Sequence, residues 1–156
     1  MKILVAGVGN ELRRDDGFGA AVVNRIVEKG LDRQLNIHVQ NFGQNLNGLL
    51  LALKNYDAVV IVDAIEGPGN PGDIYIIELS DIGTEKSVTY DFHDADLRRF
   101  IEFGRSIDVV PEKTYVVGCH PGDLSYGIGL STKTAEKIDI TVELIAEIIK
   151  KIHKKT

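Results

Sequence analysis

The sequence predicts an α/β layered fold built on a mostly parallel, twisted sheet of about five strands. Three features carry that expectation. Short apolar runs alternate along the chain with helix-period patterns. The runs KILVAGV (residues 2–8) and AVVIV (58–62) are continuously apolar, as strands covered on both faces must be. Glycine, asparagine and proline close such runs at Gly9-Asn10 and across the hexapeptide 67–72.

Residues 2–8 form the first expected strand. Asp15 or Asp16 is expected to cap the helix that follows, because a carboxylate accepts the free N–H groups of a first turn. Val22, Val23, Ile26 and Val27 form that helix's apolar stripe, and Gly30 stops it. A second strand is expected over 35–39, and Leu46, Leu49, Leu50 and Leu53 mark a second helix. The β-branched run 58–62 belongs at the sheet centre. Residues 74–79 make a fourth strand, and the short return from Val62 predicts that it pairs antiparallel, since parallel pairing needs a crossover. Asp94 is expected to cap a helix carrying Leu97, Phe100 and Ile101. A fifth strand falls at 115–117. The last helix starts near Ser131 and carries Ile138, Val142, Ile145, Ile148, Ile149 and Ile152. With 156 residues and no repeat or linker, a single domain over 1–156 is expected.

Composition narrows the function. The net charge of -5 argues against nucleic acid as a partner, because phosphate binding needs a basic face. The basic tail Lys150, Lys151, Lys154, Lys155 ends a helical pattern, where cations favour the helix dipole. A single cysteine, Cys119, allows no internal disulfide, which fits a reducing, cytoplasmic setting. The first residues read as a strand rather than a secretion signal. The most apolar stretch, 46–65, is interrupted by Lys54, Asn55, Asp57 and Asp63, so no membrane span is expected.

In a mostly parallel sheet, ligands bind beyond the C-terminal ends of the strands. The polar residues just after each expected strand are Asn10, Asp15 and Asp16, then Asn41, then Asp63, then Cys119 and His120. His93 precedes a helix on the same expected edge. Asp63 closes an apolar run, where a carboxylate is costly unless it is paired, hydrogen-bonded or bound to a metal. The pair Asp15 and Asp16 has a plain structural reading, one capping and one facing water. His93 has one as a solvated loop histidine, and His120 as part of a tight turn before Pro121 and Gly122. Were Asp16, Asp63 and His93 to meet, two oxygens and one nitrogen would suit nickel, zinc or a related divalent ion, with positions left open for substrate or water.

Other chemistries fit less well. Gly7-x-Gly9 could open a nucleotide loop, but Leu12 stands where a third glycine belongs, and two aspartates at a helix start repel phosphate. The chain has neither an HExxH helix nor a GxSxG elbow. Cys119 and His120 are adjacent, and neighbours on a strand point to opposite faces, so they make a poor catalytic pair.

The segments GVGNELRRDDGFG, AVVIVDAI, DFHDADL and VGCHPGDLSYGIGLS, in this order over about residues 3–138, resemble the hydrogenase maturation endopeptidases. The resemblance implies a three-layer α/β/α sandwich. It also implies nickel-dependent removal of a short C-terminal peptide from the precursor of a [NiFe] hydrogenase large subunit. Asp16, Asp63 and His93 match the family's metal-meeting positions, both catalytic and metal-binding, and the nickel is expected to arrive already bound in the substrate. Other divalent ions are expected to substitute for it. One segment departs from the pattern: the family's Asp-x-Gly-Thr is here Asn41-Phe42-Gly43-Gln44. Asparagine cannot serve as a carboxylate base. The competing expectations are a non-proteolytic metal- or nucleotide-binding α/β domain, and a more general peptidase of the same fold.

Overall fold

The computed structural model describes residues 1–79, 91–92 and 95–154. The elements run β1 (Ile3–Val8), a 3-10 turn (Arg14–Gly17), α1 (Phe18–Glu28), α2 (Leu31–Gln34), β2 (His38–Gly43), α3 (Leu46–Leu53), β3 (Ala58–Glu66), β4 (Ile74–Glu78), β5 (Asp91–Phe92), α4 (Ala95–Ser106), β6 (Lys113–Cys119), α5 (Thr132–Ala135) and α6 (Ile138–Lys154). The main sheet has the order β2-β1-β3-β6-β4, with β5 attached to β3. The pairs β1–β2, β1–β3 and β3–β6 are parallel, and β3 lies at the centre.

Period-2 alternation splits the sheet's side chains between two cores. Ile3, Val5, Val60, Val62 and Val117 pack under α1 and α6. Leu4, Ala6, Val59, Ile61 and Val116 pack under α3 and α4. The result is the three-layer α/β/α arrangement. Leu49, Leu53, Leu97 and Ile101 of α3 and α4 are essentially inaccessible to solvent; each contributes about 1.5–3 kcal/mol by leaving water. Two glycines set the close approach of α1 to the sheet. A Cβ on Gly19 would collide with the carbonyl oxygen of Val62, and one on Gly7 would lie 2.8 Å from the Gly19 oxygen. No helix among the described residues is long and apolar enough to cross a membrane.

Several sequence expectations shift. The second strand begins at His38, not Leu35, because Gly30 in a left-handed conformation starts the short helix α2. The strand β4 is antiparallel, but its partner is β6, which lies between it and β3. The return from β3 therefore skips one place in the sheet. The strand β3 does not stop at Asp63; it runs to Glu66, and Ile65 and Glu66 pair with Phe92 and Asp91 of β5, a strand too short for any periodic signal. Val27 is half exposed rather than part of the buried stripe. The last helical stretch divides into α5 and α6. Asp94 and His93 lie outside the described residues.

Candidate active site

The rim is built where β1 ends. Its ladder with β3 stops at Gly7 opposite Val62, so Asp63 is the first β3 residue past β1. Gly9 then turns with φ +127°, a conformation open to glycine, and its N–H is anchored on the Gly43 carbonyl at 3.0 Å. A Cβ on Gly9 would strike the main-chain oxygen of Asp16 and would lie 3.2 Å from Asp63 Oδ1. The bare α-carbon of Gly9 is thus the cradle that brings two carboxylate residues together.

Asp16 is 5 % exposed and Asp63 is 0 % exposed, so neither is a solvated loop acid. The loop folds around Asp16: its Oδ2 accepts from the Asn10 N–H at 2.8 Å, its own N–H donates to the Arg13 carbonyl at 3.0 Å, and Asn10 Oδ1 accepts from Leu12 N–H at 3.0 Å. Asp63 Oδ1 accepts from Ala64 N–H at 2.8 Å. Two oxygen-donor side chains fixed by backbone N–H groups suit a hard or borderline divalent ion. They equally suit general-base work on a water molecule.

Neither Asp15 nor Asp16 caps α1. The helix starts after Gly17 without a side-chain cap, because the 3-10 turn draws both carboxylates inward. Asp15 is wholly buried and accepts four hydrogen bonds: from Gly122 N–H and Asp123 N–H at 2.8 Å each, and from the Ser131 N–H and hydroxyl at 2.7 Å each. Burial opposes its charge, but the Ser131 hydroxyl and the backbone donors of Ser131, Asp123 and Gly122 outweigh it and hold its carboxyl below the usual range. Asp15 therefore ties the loop 122–131 to the segment that carries Asp16. Sequence reasoning missed this role. The one signal available was a second acid beside Asp16 with no amphipathic reason to face water.

The remaining candidates go elsewhere. His120 Nδ1 accepts from Gly67 N–H at 3.3 Å and sits 3.3 Å from the Tyr75 hydroxyl, while the main-chain N–H of His120 donates to the Asp73 carbonyl at 2.8 Å. It locks the β3–β4 connection. The Cys119 thiol is buried, and that burial pushes its pKa up to about 11. It is a packed thiol rather than a nucleophile. Asn41 lies within β2 at an irregular register step, exposed, with Nδ2 donating to Glu11 Oε1 at 3.1 Å. His93 lies outside the described residues; the two residues before it form β5, beside the end of β3 that follows Asp63. Among the described residues, no three His, Cys, Asp or Glu side chains gather closely enough to hold an ion by themselves.

Known proteins resemble this chain over most of its length. The family model described as hydrogenase maturation protease matches residues 20–148. The chain belongs to the hydrogenase maturation protease family. It is 28 % identical over 149 residues to the hydrogenase 2 maturation protease of Escherichia coli, covering 93 % of this chain and 88 % of that one. It superposes on a hydrogenase 2 maturation peptidase from a Thaumarchaeota archaeon with a TM-score of 0.69 at 30 % identity, covering 94 % of this chain and 97 % of the other. The hydrogenase maturating endopeptidase HybD of Escherichia coli shares the fold, with a TM-score of 0.81 at 24 % identity and 97 % and 93 % of the two chains covered. As a peptidase the protein must bring an attacking water and a scissile carbonyl together. Asp16 and Asp63 lie side by side at Gly9, on the C-terminal edge of the sheet where ligands of such folds bind.

Proposed function

We propose that this protease removes the C-terminal extension of a nickel-loaded [NiFe] hydrogenase large-subunit precursor in the cytoplasm, with Asp16, Asp63 and His93 meeting the metal centre that the substrate carries. The observation behind this reading is that two buried acidic residues, Asp16 through its main-chain oxygen and Asp63 through its carboxylate, adjoin Gly9 in a hydrogenase maturation protease. Two acids from the described residues make an incomplete coordination set, which suits an ion that brings its other ligands with it; related divalent ions in the same substrate site would engage the same oxygens. Binding the metal centre fixes the scissile bond beside the rim, and such positioning lowers a barrier by up to about 7–11 kcal/mol in the best cases. The hydrolysis is of the aspartic type. A carboxylate takes a proton from water as the water oxygen bonds to the scissile carbonyl carbon, then returns that proton to the departing amide nitrogen.

The test is the intact mass of a precursor before and after incubation with the protease. A short C-terminal loss that requires nickel in the precursor is the expected result. Equal cleavage of nickel-free precursor would overturn the metal-centre role, and no cleavage of the precursor from the same source would overturn the substrate.

A further inference from the structure

Protein substrates are held by contacts away from the scissile bond, and the rim carries apolar side chains that folding has left uncovered. Tyr126 is 83 % exposed, Ile128 82 % and Leu12 60 %. They share one place. Gly127 N–H donates to the Leu12 carbonyl at 2.8 Å, and Arg14 N–H donates to the Gly127 carbonyl at 3.1 Å, so the two segments run side by side. The patch is held rigidly. Asp15 pins the loop at both ends, through Gly122 and Asp123 on one side and Ser131 on the other. The Arg13 guanidinium lies 5.6 Å from the Tyr126 ring centre, and its Nε donates to the Leu124 carbonyl at 3.2 Å. An anchored loop and the segment beside it, together presenting three large apolar side chains to water, mark an interaction surface rather than a packing failure.

The patch also adjoins the cradle. Arg13, whose side chain supports Tyr126, gives its carbonyl to the N–H of Asp16 at 3.0 Å. We infer that Leu12, Tyr126 and Ile128 form the docking surface for the precursor chain next to its cleaved tail, an extended segment with apolar side chains; this rests on the substrate proposed above. Continuity with the cradle selects that occupant over any partner unrelated to cleavage, because Leu12 and Arg13 belong to the same turn as Asp16.

The test compares trimming kinetics of the wild-type protease with a Tyr126→Ser/Ile128→Ser double variant, using nickel-loaded precursor. Val27→Ser serves as the control, an exposed apolar residue on α1. The docking surface requires KM to rise at least tenfold in the double variant, by more than kcat falls, with no rise in the control. Should the double variant fail to fold, Leu12→Ser probes the facing segment with the same expectation. A wild-type protease that trims normally while both patch variants keep its KM would overturn the docking surface and leave the proposed function standing. A wild-type protease that does not trim overturns both. Sedimentation of the free protease covers the remaining occupant: a wild-type dimer that dissociates on these substitutions would assign the patch to a second copy of the chain and overturn the inference.

Discussion

Asp15 accepts both the N–H and the hydroxyl of Ser131 at 2.7 Å, across 116 residues of sequence, with its carboxylate wholly buried. This contact sets the position of the loop 122–131 relative to the segment that carries Asp16. Ser131→Ala removes one charge-assisted hydrogen bond and is expected to cost about 2 kcal/mol. Asp15→Asn turns an acceptor of four donors into a partial donor and is expected to cost about 3 kcal/mol or more. Because the folded carboxyl titrates below its ordinary value of 3.8, its stabilisation is fully present above that pH and is lost as pH falls through the lower native value. The stability gap between wild type and Asp15→Asn should therefore be constant from pH 7 to 5 and narrow in more acidic solution. Urea unfolding across that range measures it.

Gly9→Ala should damage the cradle more than any loop substitution of equal size. The residue would need φ +127°, and its methyl group would overlap the Asp16 carbonyl. A loss of about 2–3 kcal/mol is expected from strain and displacement. Trimming should fall more than tenfold even at temperatures where the variant is folded, because the displaced group belongs to Asp16.

Asp63→Asn keeps the shape of a side chain that is fully buried and keeps an acceptor for the Ala64 N–H. If Asp63 is the carboxylate that takes the proton from water, its loss costs about a hundredfold or more in rate. Circular dichroism should show a folded protein, while the mass assay shows trimming reduced by at least that factor. Trimming at the wild-type rate would remove Asp63 from the mechanism.

The sheet was readable from residues 58–62 and 3–8 because continuous burial on both faces leaves no room for polar positions, and β3 and β1 are indeed inner strands. The apolar faces of α3 and α4 were readable from leucine and isoleucine spacing for the same reason. The place of Asp63 on the rim followed from its position after that run. What the sequence hid were tertiary choices. Nothing local says that β6 enters between β3 and β4, since strand order depends on which neighbour buries more surface. Nothing local says that Asp15 turns inward, since its four donors come from more than a hundred residues away. The bond between Asn41 and Glu11 joins β2 to the loop after β1 by a similar long-range accident of topology.

Cys119 should be chemically silent. Its thiol, pushed up to about 11 by burial, is almost wholly protonated at neutral pH. A thiol reagent at pH 7.5 should react far more slowly with the folded protease than with the urea-unfolded chain. Cys119→Ala should trim within about twofold of wild type and lose about 1 kcal/mol for the vacated sulfur volume. Rapid labelling of the folded protein together with loss of trimming would reopen the thiol mechanism.

Position 41 departs from the acid expected by resemblance, yet its surroundings retain a carboxylate. Asn41 Nδ2 donates to Glu11 Oε1 at 3.1 Å, and Asn41 Oδ1 accepts from Gly43 N–H at 3.0 Å. The asparagine thus orients an exposed glutamate beside it. If Glu11 supplies the charge that an aspartate at 41 would otherwise bring, Glu11→Gln should slow trimming several-fold. Asn41→Asp should then gain little, because it sets two carboxylates against each other at hydrogen-bond distance. The combination Asn41→Asp with Glu11→Gln relieves that repulsion and restores a donor to the new acid, so it should recover the wild-type rate. Salt separates charge from shape here: these groups are exposed, so the difference between Asn41→Asp and the double variant should shrink at ionic strengths where the screening length falls to about 3 Å. A Glu11→Gln variant as fast as wild type would show that the rim needs no carboxylate at this place.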